Sequence, residues 1–256
     1  MLLPSLSIVT LTYNEAPIIN QVMDELLAAG EAVTSDLELV IVTFDASTDG
    51  TNDLIRARAE QDARIRPVPQ SRDLPGYGRA FVLGCRAATK AWIFQTDADG
   101  QFDYSDLHRA ASFAGNHDFI HFNRANRKDT VERVVIGRAF RFLVHLLVPS
   151  PDMDYDAAFK LFRRDLISEM DLMCESGTVV PEFICKAWLN GARIFIGETE
   201  HRHRLAGAPM WVERKWYMPV ALPRLDIIAS NIRDILFLRR EILAYRQAHA
   251  SRAVAS

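Results

Sequence analysis

The sequence predicts an α/β fold, in which a mostly parallel central sheet carries helices on both faces and a helical extension follows at the C-terminus. The first half alternates short apolar runs rich in β-branched residues with amphipathic helical patterns, an order typical of a parallel sheet covered by helices. With 256 residues, 49% of them hydrophobic and 25% charged, the chain has the composition of a large globular domain.

Five strands and four helices are predicted in the first half. The strands are expected at residues 6–11, 37–43, 65–68, 91–96 and 118–122. The helices are expected at residues 16–29, from a cap at 47–50 to about 62, at 79–89 and at 106–114. Because ligands bind beyond the carboxyl ends of such strands, the residues that follow each strand are the first candidates for a site.

The second half is less regular. Helical patterns occupy residues 130–148, 182–189 and 222–245, and strands are expected at 159–162 and 193–196. Residues 248–256 are small and polar, so we expect a frayed tail. We predict a main domain over 1–207 and an amphipathic helical extension over 208–256.

Charge and cysteine content exclude several functions. The net charge of −3 argues against nonspecific nucleic-acid binding, so we expect no nucleic-acid partner. The three cysteines are widely spaced and lack metal-ligand spacing, which predicts reduced thiols in a cytoplasmic protein. No signal peptide is expected, and no run approaches the roughly 18 apolar residues of a membrane span.

The segment QTDADGQFD, residues 95–103, follows the fourth predicted strand and carries Asp97 and Asp99 one residue apart. Such like charges repel unless a positive group lies near them. Carboxylate oxygens are the ligands that Mg²⁺ and Mn²⁺ prefer, and a bound diphosphate can supply the rest. A D-x-D segment is also common in solvated turns, but Glu15 and Asp45 follow other strands of the same sheet edge. Together they favour a site.

Four motifs occur in an order that resembles the nucleotide-sugar glycosyltransferases of family 2. They are LTYNEAPII (11–19), FDASTDGT (44–51), GYGRAFVLG (76–84) and TDADGQF (96–102). Two later segments, NRANRKDTVERVVIGRAFRFLVHLL and DMDYDAAFKLFRRD, resemble the polyprenyl-phosphate branch, the dolichol-phosphate mannosyltransferase-like enzymes. The resemblance covers roughly residues 5–207.

This resemblance implies a GT-A fold and the transfer of a sugar from a nucleoside diphosphate, with inversion at the anomeric carbon. It implies Mg²⁺ or Mn²⁺ held by Asp97, Asp99 and Gln101, which would neutralise the leaving diphosphate. The donor would be bound by residues at the strand ends and in the glycine-rich segment: Thr12, Tyr13, Glu15, Asp45, Arg79, Asp97, Ala98 and Asp99. For Asp45 a helix-capping role is the alternative, and the two roles are compatible.

On the acceptor side, Arg124, Arg127 and Arg133 form a cluster suited to a lipid phosphate, since arginine binds phosphate oxygens bidentately. A solvated charged face is the alternative. A phosphate acceptor is largely ionised at pH 7 and needs no strong general base. A sugar hydroxyl would need one, with Asp154, Asp156 and Glu182 as candidates.

The resemblance also assigns Asp154 and Lys160 to the acceptor or diphosphate. His203 and Arg204 are assigned in the same way, because the family has a histidine followed by an arginine there. A metal site at His201 and His203 is disfavoured, because two histidines without a third ligand make a poor site.

One departure from the family pattern concerns Phe44, since family members commonly carry an aspartate there beside Asp45. A nucleotide-sugar-binding protein without catalysis is therefore an alternative, although Asp97, Asp99 and Gln101 are retained. The helical pattern at 222–245 suits an interfacial helix at the inner face of the cytoplasmic membrane, a contact in a homo-oligomer, or packing on the core. The motifs do not distinguish between sugars or between nucleotides.

Overall fold

The computed structural model describes residues 2–126, 131–168, 170–203, 212–213, 222–223 and 225–254. Within them, seven strands form one sheet in the order β3-β2-β1-β4-β6-β5-β7. The strands are β1 (Leu6–Thr12), β2 (Leu37–Phe44), β3 (Ile65–Gln70), β4 (Trp92–Asp97), β5 (Phe119–Ala125), β6 (Phe159–Arg163) and β7 (Ile194–Glu200). A separate short pair comprises β8 (Val212–Glu213) and β9 (Leu222–Pro223).

The sheet is mostly parallel, as predicted. Strands β1 to β4 pair in parallel, and β5 pairs in parallel with β7. Strand β6 lies between β4 and β5 and runs antiparallel to both. As a result, the amino end of β6 lies at the same edge of the sheet as the carboxyl ends of β4 and β5.

Eight helices accompany the strands in the described part of the chain. They are α1 (Ile19–Glu31), α2 (Thr51–Gln61), α3 (Tyr77–Ala87), α4 (Asp106–Ala111), α5 (Val131–Leu147), α6 (Asp165–Ser168), α7 (Val179–Leu189) and α8 (Leu225–Val254). Successive side chains of a strand point to opposite faces, so Ile8 joins one core with α1, α2 and α4, whereas Val9 joins the other with α3, α5, α7 and α8. The prediction of helices on both faces is confirmed.

The C-terminal helix differs from its predicted bounds. Helix α8 begins at Leu225 and continues to Val254, through most of the tail that was expected to fray. It packs against α5 and α7, and the hydroxyl of Thr178 donates to the backbone carbonyl of Asn231 on α8. The division of the chain at residue 207 stays a prediction. No helix within the described ranges combines the length and the apolar character needed to cross a bilayer.

The glycine-rich segment at the start of α3 makes a close backbone contact. A Cβ atom on Gly78 would lie 2.5 Å from the carbonyl oxygen of Ser176 and 2.6 Å from that of Glu175. The amide of Gly78 donates to that same Glu175 oxygen at 3.0 Å. Glycine is therefore required here by the approach of two backbones, which places the first turn of α3 against the segment before α7.

We predict that Gly78→Ala lowers the free energy of unfolding by about 1–3 kcal/mol, because the new methyl group meets backbone atoms that cannot move aside. Alanine is otherwise the better helix former, so any loss reports the clash. Gly115→Ala is the matched control, since its Cβ would meet nothing within 4 Å. Urea unfolding measures both, and equal stability of the two variants would contradict the close contact.

Candidate functional site

The candidate site lies at one edge of the sheet, where the carboxyl ends of β1, β2 and β4 meet the amino end of β6. Thr12 is in register with Thr43, and Leu11 is in register with Asp97. Gln95 of β4 faces Lys160 of β6. Residues that are far apart in the sequence therefore converge on one edge.

Hydrogen bonds join the loops after β1 and β2. The side-chain oxygen of Asn14 accepts from the amide of Thr48 at 2.9 Å, and Asn14 has a left-handed backbone with φ 55°. The amide of Glu15 donates to the hydroxyl of Thr51 at 2.8 Å. The amide of Ala16 donates to Asp49 at 2.9 Å. These bonds fix one loop against the other.

Asp49 holds this junction in its ionised form. Burial acts to raise the pKa of Asp49, but hydrogen bonds from Thr51 and from the amide of Ala16 outweigh it, so the pKa lies below its usual value. This aspartate lies in the helix cap predicted at residues 47–50. Its bond to Ala16 could not be seen in the sequence, because it depends on how the two loops meet.

The residues predicted to bind the nucleoside surround these loops. The hydroxyl of Thr12 donates to the carbonyl of Val42 at 2.9 Å, which makes it part of the sheet edge. The rings of Tyr13 and Phe44 lie 5.7 Å apart and are tilted by 50°. Asp45 is exposed next to Phe44. Phe44 thus contributes to a pair of aromatic side chains at the ends of β1 and β2.

The D-x-D segment forms a tight turn directly after β4. Asp99 is only 4% exposed, and its carboxylate accepts from the amide of Gln101 at 3.0 Å. Gly100 permits the turn with φ 70°. The side-chain amide of Gln101 donates to the carbonyl of Arg202 at 3.2 Å, so its oxygen is the atom that could bind a cation. Asp97 is half-buried at the end of the strand.

The side chain of Tyr104 is hydrogen-bonded to the backbone of this turn. Its hydroxyl donates to the backbone carbonyl of Asp97 at 2.8 Å. Burial raises the pKa of Tyr104 well above its ordinary value, and the carboxylates of Asp99 and Asp97 raise it further. Tyr104 therefore stays protonated and keeps this bond.

Lys160 brings a buried positive charge to the same edge. It is 1% exposed, and its ammonium donates to the carbonyl of Ala157. Burial lowers the pKa of Lys160 to about 8, while Asp97, Asp154 and Asp156 act to raise it and Arg124 acts to lower it. The carboxylate after β4 and the charged residues around β6 thus belong to one electrostatic cluster.

Arg124 and Asp154 form the most buried ion pair near this cluster. The guanidinium donates to both carboxylate oxygens, at 2.7 and 2.9 Å, and the Arg124 side chain is 2% exposed. Asp156 lies 3.9 Å from the same guanidinium, with 47% of its side chain exposed. The sequence analysis assigned Arg124 and Asp154 to separate roles, whereas the structure makes them partners.

His121, which the sequence analysis did not single out, lies in register with Lys160. Burial, together with the charge of Lys160, lowers the pKa of His121 to about 3, so its ring is neutral at pH 7. The sequence offered one signal: a histidine among apolar residues of a predicted strand. That pattern alone fits a core residue equally well.

The charges and ligands of this edge suit a divalent cation held together with a diphosphate. In the part of this edge that the structure describes, the carboxylates of Asp97, Asp99, Asp154 and Asp156 accompany the cationic side chains of Arg124 and Lys160. Among the described residues, no group of three or more histidine, cysteine, aspartate or glutamate side chains could hold a metal. Asp97 and Asp99 would supply two oxygens, and donor phosphates would supply others.

Two residues that were predicted to act in the site, Arg79 and Glu182, form bonds with other protein groups. Arg79 forms an ion pair with Glu175 at 2.6 Å. Glu182 is fully buried and accepts from the amides of Met173 and Cys174 and from Lys186, so it is a structural residue and the hypothesis of a general base there is wrong.

The remaining predicted residues lie at the edges of the described region. His203 is exposed, whereas His201 is buried against Phe102. Arg127 and Arg204 lie outside the described residues, and so does the side chain of Arg133 on α5. Their assignments stay predictions.

Comparison with known proteins identifies the family. A model described as "Glycosyl transferase family 2" matches residues 7–171. The undecaprenyl-phosphate 4-deoxy-4-formamido-L-arabinose transferase of Yersinia pestis (strain Pestoides F) is 27% identical over 177 residues, which cover 68% of this chain and 54% of that protein. The match thus spans about half the length of this curated relative.

Two solved structures show the same fold. The mannosyltransferase PcManGT from Pyrobaculum calidifontis, in complex with GDP-Man and Mn²⁺, aligns with a TM-score of 0.57 and 21% identity, covering 79% of this chain and 57% of that one. A glucosyl-3-phosphoglycerate synthase from Mycobacterium tuberculosis, in complex with Mn²⁺, UDP and glucosyl-3-phosphoglycerate, aligns with a TM-score of 0.61 and 16% identity, covering 92% of this chain and 78% of that one. The predicted GT-A fold is confirmed.

We predict that Asp154→Asn destabilises the protein by about 3 kcal/mol, because it removes the carboxylate that pairs through both oxygens with the buried guanidinium of Arg124. Asp152→Asn is the matched control, since Asp152 pairs with Arg141 where both side chains are largely exposed, at 62% and 41%. Such an exposed pair contributes about 0–1 kcal/mol. Urea unfolding measures the difference, and similar losses in both variants would show that burial of the Arg124 pair is unimportant.

Proposed function

The chain belongs to glycosyl transferase family 2, and we propose that it transfers a sugar from a nucleoside-diphosphate donor to a polyprenyl phosphate, with inversion at the anomeric carbon. The observation that supports this proposal most is that two groups of residues lie at the same edge of the sheet. One group is Asp97 and Asp99, and the other is Arg124, Asp154 and Lys160. The two aspartates could hold the cation that a leaving diphosphate needs. The second group brings cationic side chains to the side from which the acceptor phosphate would approach.

The donor would occupy the ends of β1, β2 and β4. Asp97 and Asp99, with the side-chain oxygen of Gln101, would hold Mg²⁺ or Mn²⁺. When bound, the cation would neutralise the charge that develops on the leaving diphosphate. The Tyr13–Phe44 pair offers flat apolar surface to a base, and the adjacent Asp45 offers a carboxylate to base or ribose. Thr12, Glu15 and Arg79 would complete this side of the site.

The acceptor phosphate would act as its own nucleophile. With a second pKa near 6 it is largely dianionic at pH 7. One of its oxygens would bond to the anomeric carbon from the face opposite the diphosphate, and the bond from that carbon to the diphosphate oxygen would break. Arg124, Arg127 and Arg133 would orient the phosphate, with Asp154 holding the Arg124 guanidinium in place. Lys160, His203 and Arg204 would complete the anion-binding edge.

A sugar-hydroxyl acceptor is the second candidate, and the structure makes it less favourable. It would require a general base, yet Glu182 is buried in structural hydrogen bonds and Asp154 is paired with Arg124. Of the three candidates, Asp156 alone has an exposed side chain, at 47%. A nucleotide-sugar-binding protein without catalysis is the third candidate, and measurable turnover would exclude it.

We predict that Asp99→Asn lowers sugar transfer to undecaprenyl phosphate on the order of a hundredfold or more, as expected when charge stabilisation at the leaving group is lost. Arg133→Gln should lower transfer to a similar degree, yet keep the thermal stabilisation by the donor, since it acts on the acceptor. Arg56→Gln is the control, because Arg56 is an exposed arginine on α2 that pairs with Asp53.

Transfer is measured with Mn²⁺ and labelled UDP-, GDP- and dTDP-sugars, and donor binding is measured by thermal shift with the same set. If Arg133→Gln transferred sugar as fast as the wild type, the phosphate-acceptor proposal would lose its support. Transfer that continues after chelation of divalent metal would contradict the role given to Asp97 and Asp99.

A further inference from the structure

Helix α5 is apolar on two opposite sides. Val144 and Val148, at and just beyond the end of the helix, are buried in the core. On the outer side, Val135, Phe142 and Leu146 are 58%, 65% and 64% exposed. These three residues lie close to two and three helical turns apart and therefore share one face. A surface helix normally presents charged and polar residues on its outer side.

Helix α8 shows the same pattern beside it. Ile232, Leu236 and Leu243 are 45%, 51% and 51% exposed. The opposite side of the helix is buried through Ile235, Leu238 and Ile242. Helices α5 and α8 contact each other and bury their other sides in the same core, so the exposed apolar residues of both helices face away from the sheet.

Exposed arginines accompany these apolar residues. Arg138 lies on the outer part of α5, and Arg233, Arg239 and Arg240 are exposed on α8. The described part of α8 also carries two acidic side chains. Asp234 is turned toward the fold and accepts from the amide of Ser176 at 3.2 Å, and Glu241 is half-buried. The described parts of the two helices are thus locally basic, although the whole chain has a net charge of −3.

We propose that the outer faces of α5 and α8 form a docking surface for a bilayer that contains anionic phospholipid. We call this the α5–α8 surface; it comprises Val135, Phe142, Leu146, Ile232, Leu236 and Leu243. Apolar side chains bordered by arginines are the composition that binds at the headgroup level, where the side chains enter the acyl boundary and the arginines meet lipid phosphates. A symmetric contact with a second copy would bring like charges together.

This inference rests on the proposed function, because a lipid-linked acceptor is the reason for the protein to bind a bilayer. Helix α5 begins at Val131, soon after β5 ends at Ala125 on the edge that carries the candidate site. A bilayer against α5 would therefore lie beside the acceptor side of that site. An acceptor phosphate on a lipid chain could reach the site while its chain stays in the bilayer.

The experiment is flotation of the full chain with vesicles of phosphatidylcholine, with and without phosphatidylglycerol. The wild type should float with the anionic vesicles. The double variant Phe142→Ser with Leu146→Ser should bind at least about tenfold more weakly, since buried apolar area is lost. Leu2→Ser is the matched control, because Leu2 is 42% exposed and bonds through its amide to Val33, next to the core on the other side of the sheet.

The variant Arg233→Gln with Arg240→Gln tests the charge. It should lose about fivefold per arginine on anionic vesicles and little on neutral ones. Wild-type affinity of the Phe142 and Leu146 variant, or no vesicle binding by the wild type, would overturn the proposal. It would also be overturned if light scattering showed a wild-type dimer that this variant dissociates, because the surface would then join two subunits.

A separate assay distinguishes this inference from the proposed function. Transfer to a short, water-soluble prenyl phosphate without vesicles should be the same in the Phe142 and Leu146 variant as in the wild type. A wild type that binds vesicles but transfers sugar to no prenyl phosphate would support the α5–α8 surface and contradict the proposed acceptor. A wild type that transfers sugar to a prenyl phosphate but binds no vesicles would support the proposed acceptor and contradict the α5–α8 surface.

Discussion

The buried ammonium group of Lys160 sets the constraint on which the candidate site depends. A charge this deep in a protein needs nearby opposite charges, and Lys160 has them in Asp97 at the end of β4 and in Asp154 and Asp156 before β6. These segments come from different halves of the chain. The cluster therefore joins the segment predicted to bind the donor to the segment predicted to bind the acceptor. Arg124 adds a second cation, held by Asp154.

The direction of the strands makes this cluster possible. A sheet that was parallel throughout would place the amino end of β6 at the opposite edge from the carboxyl end of β4. The antiparallel β6 instead brings Lys160 into register with Gln95, two residues before Asp97. The loops after β1 and β2 are fixed by their own hydrogen bonds, so the edge is assembled from short and well-anchored segments.

The sequence was sufficient for the fold class and for the order of strands β1 to β7 and of every described helix except α6, because apolar periodicity and turn residues are local signals. The short elements α6, β8 and β9 were missed. It was also sufficient to predict that Glu15, Asp45 and Asp97 lie at one edge of the sheet, since parallel strands align their carboxyl ends. The direction of β6 and the pairing of Arg124 with Asp154 depend on contacts between distant segments, and local patterns carry no information about them. The extent of α8 was underestimated because residues 248–256 were interpreted as a frayed terminus, although the alanines and the arginine among them favour a helix.

We propose that Asp97 and Asp99 bind a divalent cation jointly with a nucleoside diphosphate. The most direct test is electron paramagnetic resonance of free Mn²⁺ in the presence of the protein, with and without the diphosphate of the preferred donor. We expect the protein to bind Mn²⁺ weakly alone and strongly with the diphosphate, and we expect Asp99→Asn to lose that increase. Equally tight Mn²⁺ binding without nucleotide, or an increase that survives in Asp99→Asn, would contradict it.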